Sequence, residues 1–328
     1  MAQQELYLGW DVGGTKSAAI VGTAQGEILA RKQWPSQAHM GHEHMLQQFL
    51  LHARLLLKCF PDVGALGVSI GGPLNTITGV IYSPPHLLGW DAVPLKGKLA
   101  EIFGLPVVVE HDAIACLQAE MLWGAARGCT HAAYLTAGTG CGAGVLCAGQ
   151  IVRGPQGQSP EIGHIRLAED GPDVYGKRGC VESFCSGEGV TLLAQERFPK
   201  KFGSRTDLFE IERSARANEP EGVAVVKESG HYLGRVCAML CDMFYPQKIV
   251  IGSMARYLPE IWLEQARAQL RQEIMRPQDG VWPQIVPAQC AERLQDLSTL
   301  APCVCAQQKN RDYSAKFPDL HRIDTVLR

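Results

Sequence analysis

The sequence predicts an α/β protein of two domains, and three observations carry that expectation. The chain has 328 residues, beyond the roughly 250–300 at which a single hydrophobic core stops growing. A strand, a glycine-rich turn and a second strand occur twice, once around Gly13 and once around Gly138, so each half opens on the same antiparallel plan. Elsewhere, short apolar runs give way to stretches of helical periodicity, with polar residues at the joins, which is where open α/β sheets place their ligands. With 46% hydrophobic and 20% charged residues, both domains can bury a core, and extensive disorder is excluded.

The first half reads in order as three strands, a helix and two further strands. Leu6 to Trp10, Ser17 to Val21 and Ile28 to Arg31 are apolar runs, the first two joined by the turn Asp11 to Thr15. From His42 to Phe60 the residues Met45, Phe49, Leu50, Ala53, Leu56, Leu57 and Phe60 recur at helical spacing until Pro61 stops the pattern. Leu66 to Ile70 forms a strand ending in Gly71-Gly72-Pro73. Pro106 to Val109 forms another, leading through Glu110-His111-Asp112 into a helix that runs to about Trp123.

The second half opens near Ala132, turns helical from Gly187 to Tyr245, and adds a strand at Lys248 to Ile251 and a helix around Glu260 to Ile274. The domains are expected at 1–117 and 118–298. Beyond Thr299, residues Pro302, Cys303, Cys305 and a run of charges lack clear periodicity, so the segment 299–328 is expected to be an atypical, partly mobile tail.

Composition excludes several functions. Thirty-one Lys plus Arg against 33 Asp plus Glu leave a net charge of -2, with no basic field to attract nucleic acid. Twelve cysteines are too dilute for a disulfide scaffold, and no cationic, then apolar, leader opens the chain. Free thiols in the reducing cytoplasm are the reading. The uncharged stretch Gly128 to Val152 is interrupted by Gly138, Gly140, Gly142, Gly144 and Gly149, which suits strand, turn and strand better than a membrane span.

The two glycine turns carry the first functional signal. In Asp11-Val12-Gly13-Gly14-Thr15-Lys16, adjacent glycines let backbone N–H groups converge on an anion, while Thr15 adds a hydroxyl and Lys16 a charge. An ordinary hairpin turn reads equally well from these residues alone. The second loop, Thr136-Ala137-Gly138-Thr139-Gly140-Cys141-Gly142, fails the dinucleotide pattern, because Ala143 stands where a third glycine is needed and a strand follows. Two such hairpins, one per half, can grip one nucleoside triphosphate.

Together, Asp11-Val12-Gly13-Gly14-Thr15-Lys16, the loop Gly138-Thr139-Gly140-x-Gly142 and Glu161-Ile162-Gly163-His164 resemble the ROK family of sugar kinases and repressors, within the actin/hexokinase-like (ribonuclease H-like) ATPases. The resemblance spans Leu6 to Ile251, extending to about Leu294. It implies two α/β domains around a central cleft, with ATP across both glycine loops, Mg²⁺ on its phosphates oriented through Asp11, and a hexose beneath the γ-phosphate. Gly252, in a strand and turn resembling the adenosine side, completes the nucleotide contacts.

The resemblance also places the acceptor site. Asp112 matches the family's general base; from position alone it suits a helix N-cap as well. His111 stands where the family usually has Asn, so the hydroxyl it reads is open. Glu161, His164 and Glu182 match sugar contacts, and Gly72 matches a loop near the sugar. Trp90 suits either a sugar face or the core.

ROK proteins commonly hold a structural zinc on a His and three cysteines, and this sequence departs from that pattern. His164 and Cys180 remain, but Asp173 and Tyr175 replace two cysteines. No zinc is therefore expected, with hydrogen bonds orienting His164 in its place, Tyr175 being a candidate donor.

The implied activity is ATP-dependent phosphorylation of a hexose, glucose or an N-acetylhexosamine, at its 6-hydroxyl by a cytoplasmic homodimer. Fructokinase-type specificity is one alternative and a non-catalytic sugar-binding or regulatory homologue another. The family's repressors carry a helix-turn-helix before the first glycine loop, whereas Asp11 is reached here after only Met1 to Trp10.

Overall fold

A computed structural model describes residues 5–316 apart from His86, Arg276, Gln278 and Asp279, with side chains described as far as residue 309. It divides into two compact units: residues 1–119, 156–158 and 295–328, and residues 120–155 and 159–294.

The first unit is built on a five-stranded sheet. Its opening meander is β1 (Leu6–Val12), β2 (Lys16–Thr23) and β3 (Ile28–Pro35), antiparallel as expected. Helix α1 (Gly41–Cys59) lays Met45, Phe49, Ala53 and Leu56 into the core, where Phe49 stacks on Trp10 at 4.2 Å. Strand β4 (Val63–Ile70) runs parallel to β1. A small sheet of β5 (Leu74–Asn75), β6 (Val80–Ile81) and β7 (Val93–Pro94) follows, then α2 (Leu95–Phe103), which Gly104 ends in a left-handed conformation. Strand β8 (Val107–His111) pairs parallel with β4 and leads directly into α3 (Asp112–Trp123). The sheet order is β3-β2-β1-β4-β8. Trp90 is buried 6.2 Å from the Trp10 ring, so it is a core residue.

The second unit repeats the plan. Strands β9 (Ala132–Leu135), β10 (Ala143–Cys147) and β11 (Gln150–Ile151) form its meander, and the hairpin β12 (Asp173–Val174) with β13 (Lys177–Arg178) stands apart. Helices α4 (Val181–Cys185), α5 (Gly187–Arg197), α6 (Leu208–Arg216) and α7 (Pro220–Phe244) supply the core; α5 and α6 start at Ser186 and Asp207, whose side chains accept amide N–H groups of the first turn. Strand β14 (Lys248–Ile251), α8 (Met254–Tyr257), α9 (Ile261–Glu273) and β15 (Gln284–Pro287) complete the order β11-β10-β9-β14-β15. Within this unit the buried carboxylate of Glu120 accepts the amides of Ala125 (2.6 Å), Gln289 (3.1 Å) and Cys290 (2.8 Å).

The chain then returns to the first unit as α10 (Leu294–Lys316), which corrects the expectation of an irregular tail from Thr299. Leu297, Leu300, Ala301, Cys303 and Val304 are buried. Gly9 and Gly67 have no room for a Cβ beside Thr299, and at Gly22 one would lie 2.5 Å from Leu300. The helix belongs to the core because glycines in distant strands clear its seat. Residues 317–328 lie outside the described residues. Among the described residues, no helix is long and apolar enough to cross a membrane.

Candidate active site

In the first unit, β1 and β8 both run parallel to β4, so their C-terminal ends share one sheet edge. Asp11 is the penultimate residue of β1, and Asp112 follows β8 as the first residue of α3. Burial, then the charges of Asp296 and Asp112, push the Asp11 carboxyl up to about 7, with Arg31 opposing. Arg31 donates through Nε to both oxygens of Asp296, at 2.8 and 2.9 Å. Neither Arg31 nor Asp296 has a local sequence signal, since 265 residues separate them.

Asp112 is 44% exposed at its side chain. Its Oδ1 accepts the amide of Ala113 at 2.6 Å and lies 3.2 Å from His111 Nδ1. A helix cap would instead take amides two or three residues on, so the geometry is not that of an N-cap. The imidazole of His111 is largely buried and rests on Gly72, where a Cβ would come 2.9 Å from its Cδ2 and 3.0 Å from its Nε2. Gly72 thus serves first as the seat of the ring.

The first glycine turn is tight: a Cβ at Gly13 would lie 2.6 Å from the Lys16 carbonyl oxygen. Ser36 ties it from β3's end, donating through Oγ to Gly13 O at 2.5 Å and through its amide to Thr15 O at 3.0 Å. Gly14 is half-buried, and Thr15 and Lys16 are exposed.

The second turn is closed across its own neck. Thr136 N donates to Gly142 O at 3.0 Å, and Gly142 N to Thr136 Oγ1 at 2.8 Å. The Gly138 amide donates to Gly140 O at 3.0 Å. The Thr136 hydroxyl and the Gly138 amide, expected from sequence to face phosphate, are thus engaged inside the loop. Thr139 lies at its tip. Gly252 has no room for a Cβ beside Thr136 O and Tyr134 Oη, and Met254 N donates to Ala137 O at 2.9 Å, so the turn after β14 braces the loop.

Glu182, in the first turn of α4, is buried beside this loop; a Cβ at Gly140 would lie 2.6 Å from its Oε1. Burial pushes its carboxyl up to about 7 against the Cys141 amide that binds it, and Glu188 and Glu161 push in the same direction as burial. Glu161 precedes the short turn Ile162–His164 and His164 ends it, and both are exposed. The Lys177 ammonium donates to the His164 carbonyl. Sequence reasoning missed Glu188 and Lys177, which carry no motif.

A zinc ion does not fit the residues present. Cys180 Sγ is buried 3.2 Å from Ser183 Oγ, which itself donates to Pro172 O at 2.8 Å. Asp173 Oδ1 accepts the Gly176 amide at 2.9 Å, and Tyr175 and Gly176 form the hairpin tip at φ 51° and 76°. Among the described residues, no three His, Cys, Asp or Glu side chains converge to hold a metal.

The sequence matches the ROK family over residues 7–294, so the chain belongs to the ROK family. Its fold is the actin/hexokinase-like one of ROK sugar kinases. It is 32% identical over 262 residues to a glucokinase of Halalkalibacterium halodurans, covering 75% of this chain and 79% of that one. A solved ROK family glucokinase from Streptomyces griseus, in complex with glucose and AMPPNP, superposes with a TM-score of 0.75 at 26% identity, covering 90% of this chain and 98% of the other. The DNA-binding transcriptional repressor Mlc of Escherichia coli is 26% identical, over 71% of this chain and 58% of its own length.

Proposed function

We propose that the protein is an ATP-dependent hexose kinase that phosphorylates the 6-hydroxyl of glucose or an N-acetylhexosamine, with Asp112 as general base. The observation that carries the reading is the Asp112 carboxylate, accessible at the C-terminal edge of the parallel strands, with Oδ1 held and Oδ2 left to take a proton. As the sugar oxygen bonds to the γ-phosphorus, the bond to ADP breaks and the hydroxyl proton passes to Asp112. Glucose stands first because a glucokinase is 32% identical to this chain over 262 residues.

In this reading Asp112 is the base with His111 beside it, the turns at 13–16 and 136–142 take phosphate, and Glu161, His164 and Glu182 take sugar hydroxyls. Lys16 supplies positive charge, and Thr139 lies at the tip of the second loop, between the Gly138 amide and the Gly140 carbonyl that it bonds. Asp11 would hold Mg²⁺, since a half-buried carboxylate crowded by two others is relieved by a cation, and the ion would neutralise phosphate charge. A cytoplasmic homodimer belongs to the same reading. Purified protein with ATP and Mg²⁺, assayed for ADP release against glucose, mannose, fructose and N-acetylated hexosamines, tests it. Release above the ATPase background with at least one sugar is expected. Sugar binding without ADP release would favour the regulatory reading that the resemblance to Mlc keeps open.

A further inference from the structure

Resting on the reading of the Gly13–Lys16 turn as a phosphate site, we infer that Ser36 is a positioning residue for the nucleotide: backed by Ser17, its buried hydroxyl holds the Gly13 carbonyl inward and so presents the Gly14 amide outward to a phosphate oxygen. Ser36 is the residue after β3, and in the β2–β3 register Lys16 faces Pro35, so Ser36 comes level with the turn. Ser36 and Ser17 are both buried, at 0% and 1% exposure.

The direction of the hydrogen bonds follows from the groups present. A carbonyl only accepts, so the single hydroxyl hydrogen of Ser36 goes to Gly13 O, at 2.5 Å. Ser17 Oγ and Ser36 Oγ are 3.0 Å apart, and with the Ser36 hydrogen engaged, Ser17 is the donor between them. The result is a one-way chain from Ser17 through Ser36 to Gly13 O, in which each bond polarises the next. The Ser36 amide adds a second tie, donating to Thr15 O at 3.0 Å.

These ties matter because the peptide between Gly13 and Gly14 is free to rotate, with no Cβ to restrain it on either side. It is trans, so its C=O and N–H point in opposite directions. With the carbonyl turned in to Ser36, the Gly14 amide is turned away from it. Among the described residues, neither that amide nor the amide of Thr15 has an acceptor. Rotated the other way, the same peptide would present its carbonyl oxygen and repel a phosphate. Ser36 thus selects the polarity of the turn, which the two glycines by themselves leave open.

Calorimetric binding of AMPPNP with Mg²⁺ tests the role without turnover. Ser36→Ala should weaken AMPPNP by ~10-fold or more, whereas Ser36→Thr, which keeps the hydroxyl, should stay within about threefold of wild type. Glucose affinity, read by intrinsic fluorescence, should be unchanged in both. In turnover the same split should appear as a raised ATP KM with the glucose KM unmoved. Ser17→Ala removes only the donor behind Ser36, so it should weaken AMPPNP less, by about threefold, and it replaces Ser36→Ala should that variant fail to fold. AMPPNP affinity equal to wild type in every folded variant overturns the inference. So does a loss in Ser36→Ala that lowers AMPPNP and glucose affinity together, or one that Ser36→Thr shares in full. If AMPPNP binding depends on Ser36 while no hexose elicits ADP release, the kinase reading fails and the role of Ser36 stands.

Discussion

In the first unit, the turn at Gly13–Thr15 hangs from a hairpin anchored from beneath, by Ser36 and by α10 packed under Gly9 and Gly22. In the second, the turn at 136–142 is laced across its own neck and braced from outside by Gly252 and Met254. The two share a strand, turn and strand plan and a glycine-rich sequence, yet their glycines are needed for different reasons. Gly13 is required by the turn itself. Gly252, outside the second loop, is required by the loop's close approach, whereas Gly138 inside it is not crowded: a Cβ there would lie 3.7 Å from its nearest neighbour, Ser253.

The largest expected effect separates the chemistry of the first unit from the sugar contacts assigned to the second. Asp112→Asn should lower turnover by ~10²–10⁴-fold, because the amide cannot accept the proton. Sugar affinity, read by intrinsic fluorescence, should stay near wild type. Turnover within a few-fold of wild type would remove Asp112 from the mechanism.

Next comes the anchoring of the first hairpin. Leu300→Ala empties a fully buried site on α10 beneath Gly22 and should cost about 2–5 kcal/mol in urea unfolding. A cost below about 1 kcal/mol would show that the hairpin does not depend on the closing helix.

The brace of the second loop should cost less. Gly252→Val must displace Thr136 or Tyr134, so a loss of about 1–3 kcal/mol is expected together with a raised ATP KM. Gly138→Ala sharpens the contrast. It meets only ordinary van der Waals contact with Ser253, so stability should move by no more than about 0.5 kcal/mol, and any rise in ATP KM then reports phosphate approaching that backbone. Unchanged ATP affinity in both variants would reduce the second turn to an ordinary hairpin.

The smallest expected effect is a pH dependence of the ligand-free protein. Asp11 titrates at about 7 in the folded state against an ordinary 3.8, so the fold binds the extra proton between those values. Stability from this group is fully present below about pH 3.8 and is lost as pH rises through about 7. Asp11→Asn should therefore raise the Tm relative to wild type by an amount that grows from pH 4 to about 7 and then levels. A Tm difference that is constant across this range would mean that Asp11 is not strained by its neighbours.

Much of this was legible in the chain. The meander at Leu6–Arg31, the helix at His42–Phe60, the strand before Asp112 and the helical stretch after Gly187 follow from local periodicity and from Pro and Gly stops, and the structure places them within a few residues of the expectation. The order of Asp11–Lys16, the Gly138–Gly142 loop and Glu161–His164 was enough to point to the ROK family, because spaced motifs survive where individual residues would be ambiguous. Short elements such as β5, β6, β7 and the hairpin β12–β13 were not legible, since two-residue strands have no period to read.

What the sequence by itself determined is the succession of elements and the types of side chain delivered to each strand end. Only the tertiary structure decided which of them matter to one another. Pattern alone leaves α10 looking like a tail, because its apolar residues meet Gly9, Gly22 and Gly67 across more than two hundred residues of chain. Nor does pattern reveal that Asp296 arrives on that helix to raise Asp11, that Trp90 fills the core, or that the ring of His111 closes on Asp112 over Gly72. Periodicity is a property of neighbours along the chain, whereas burial, charge coupling and hydrogen-bond polarity depend on distance in space, which the chain sets only once it is folded.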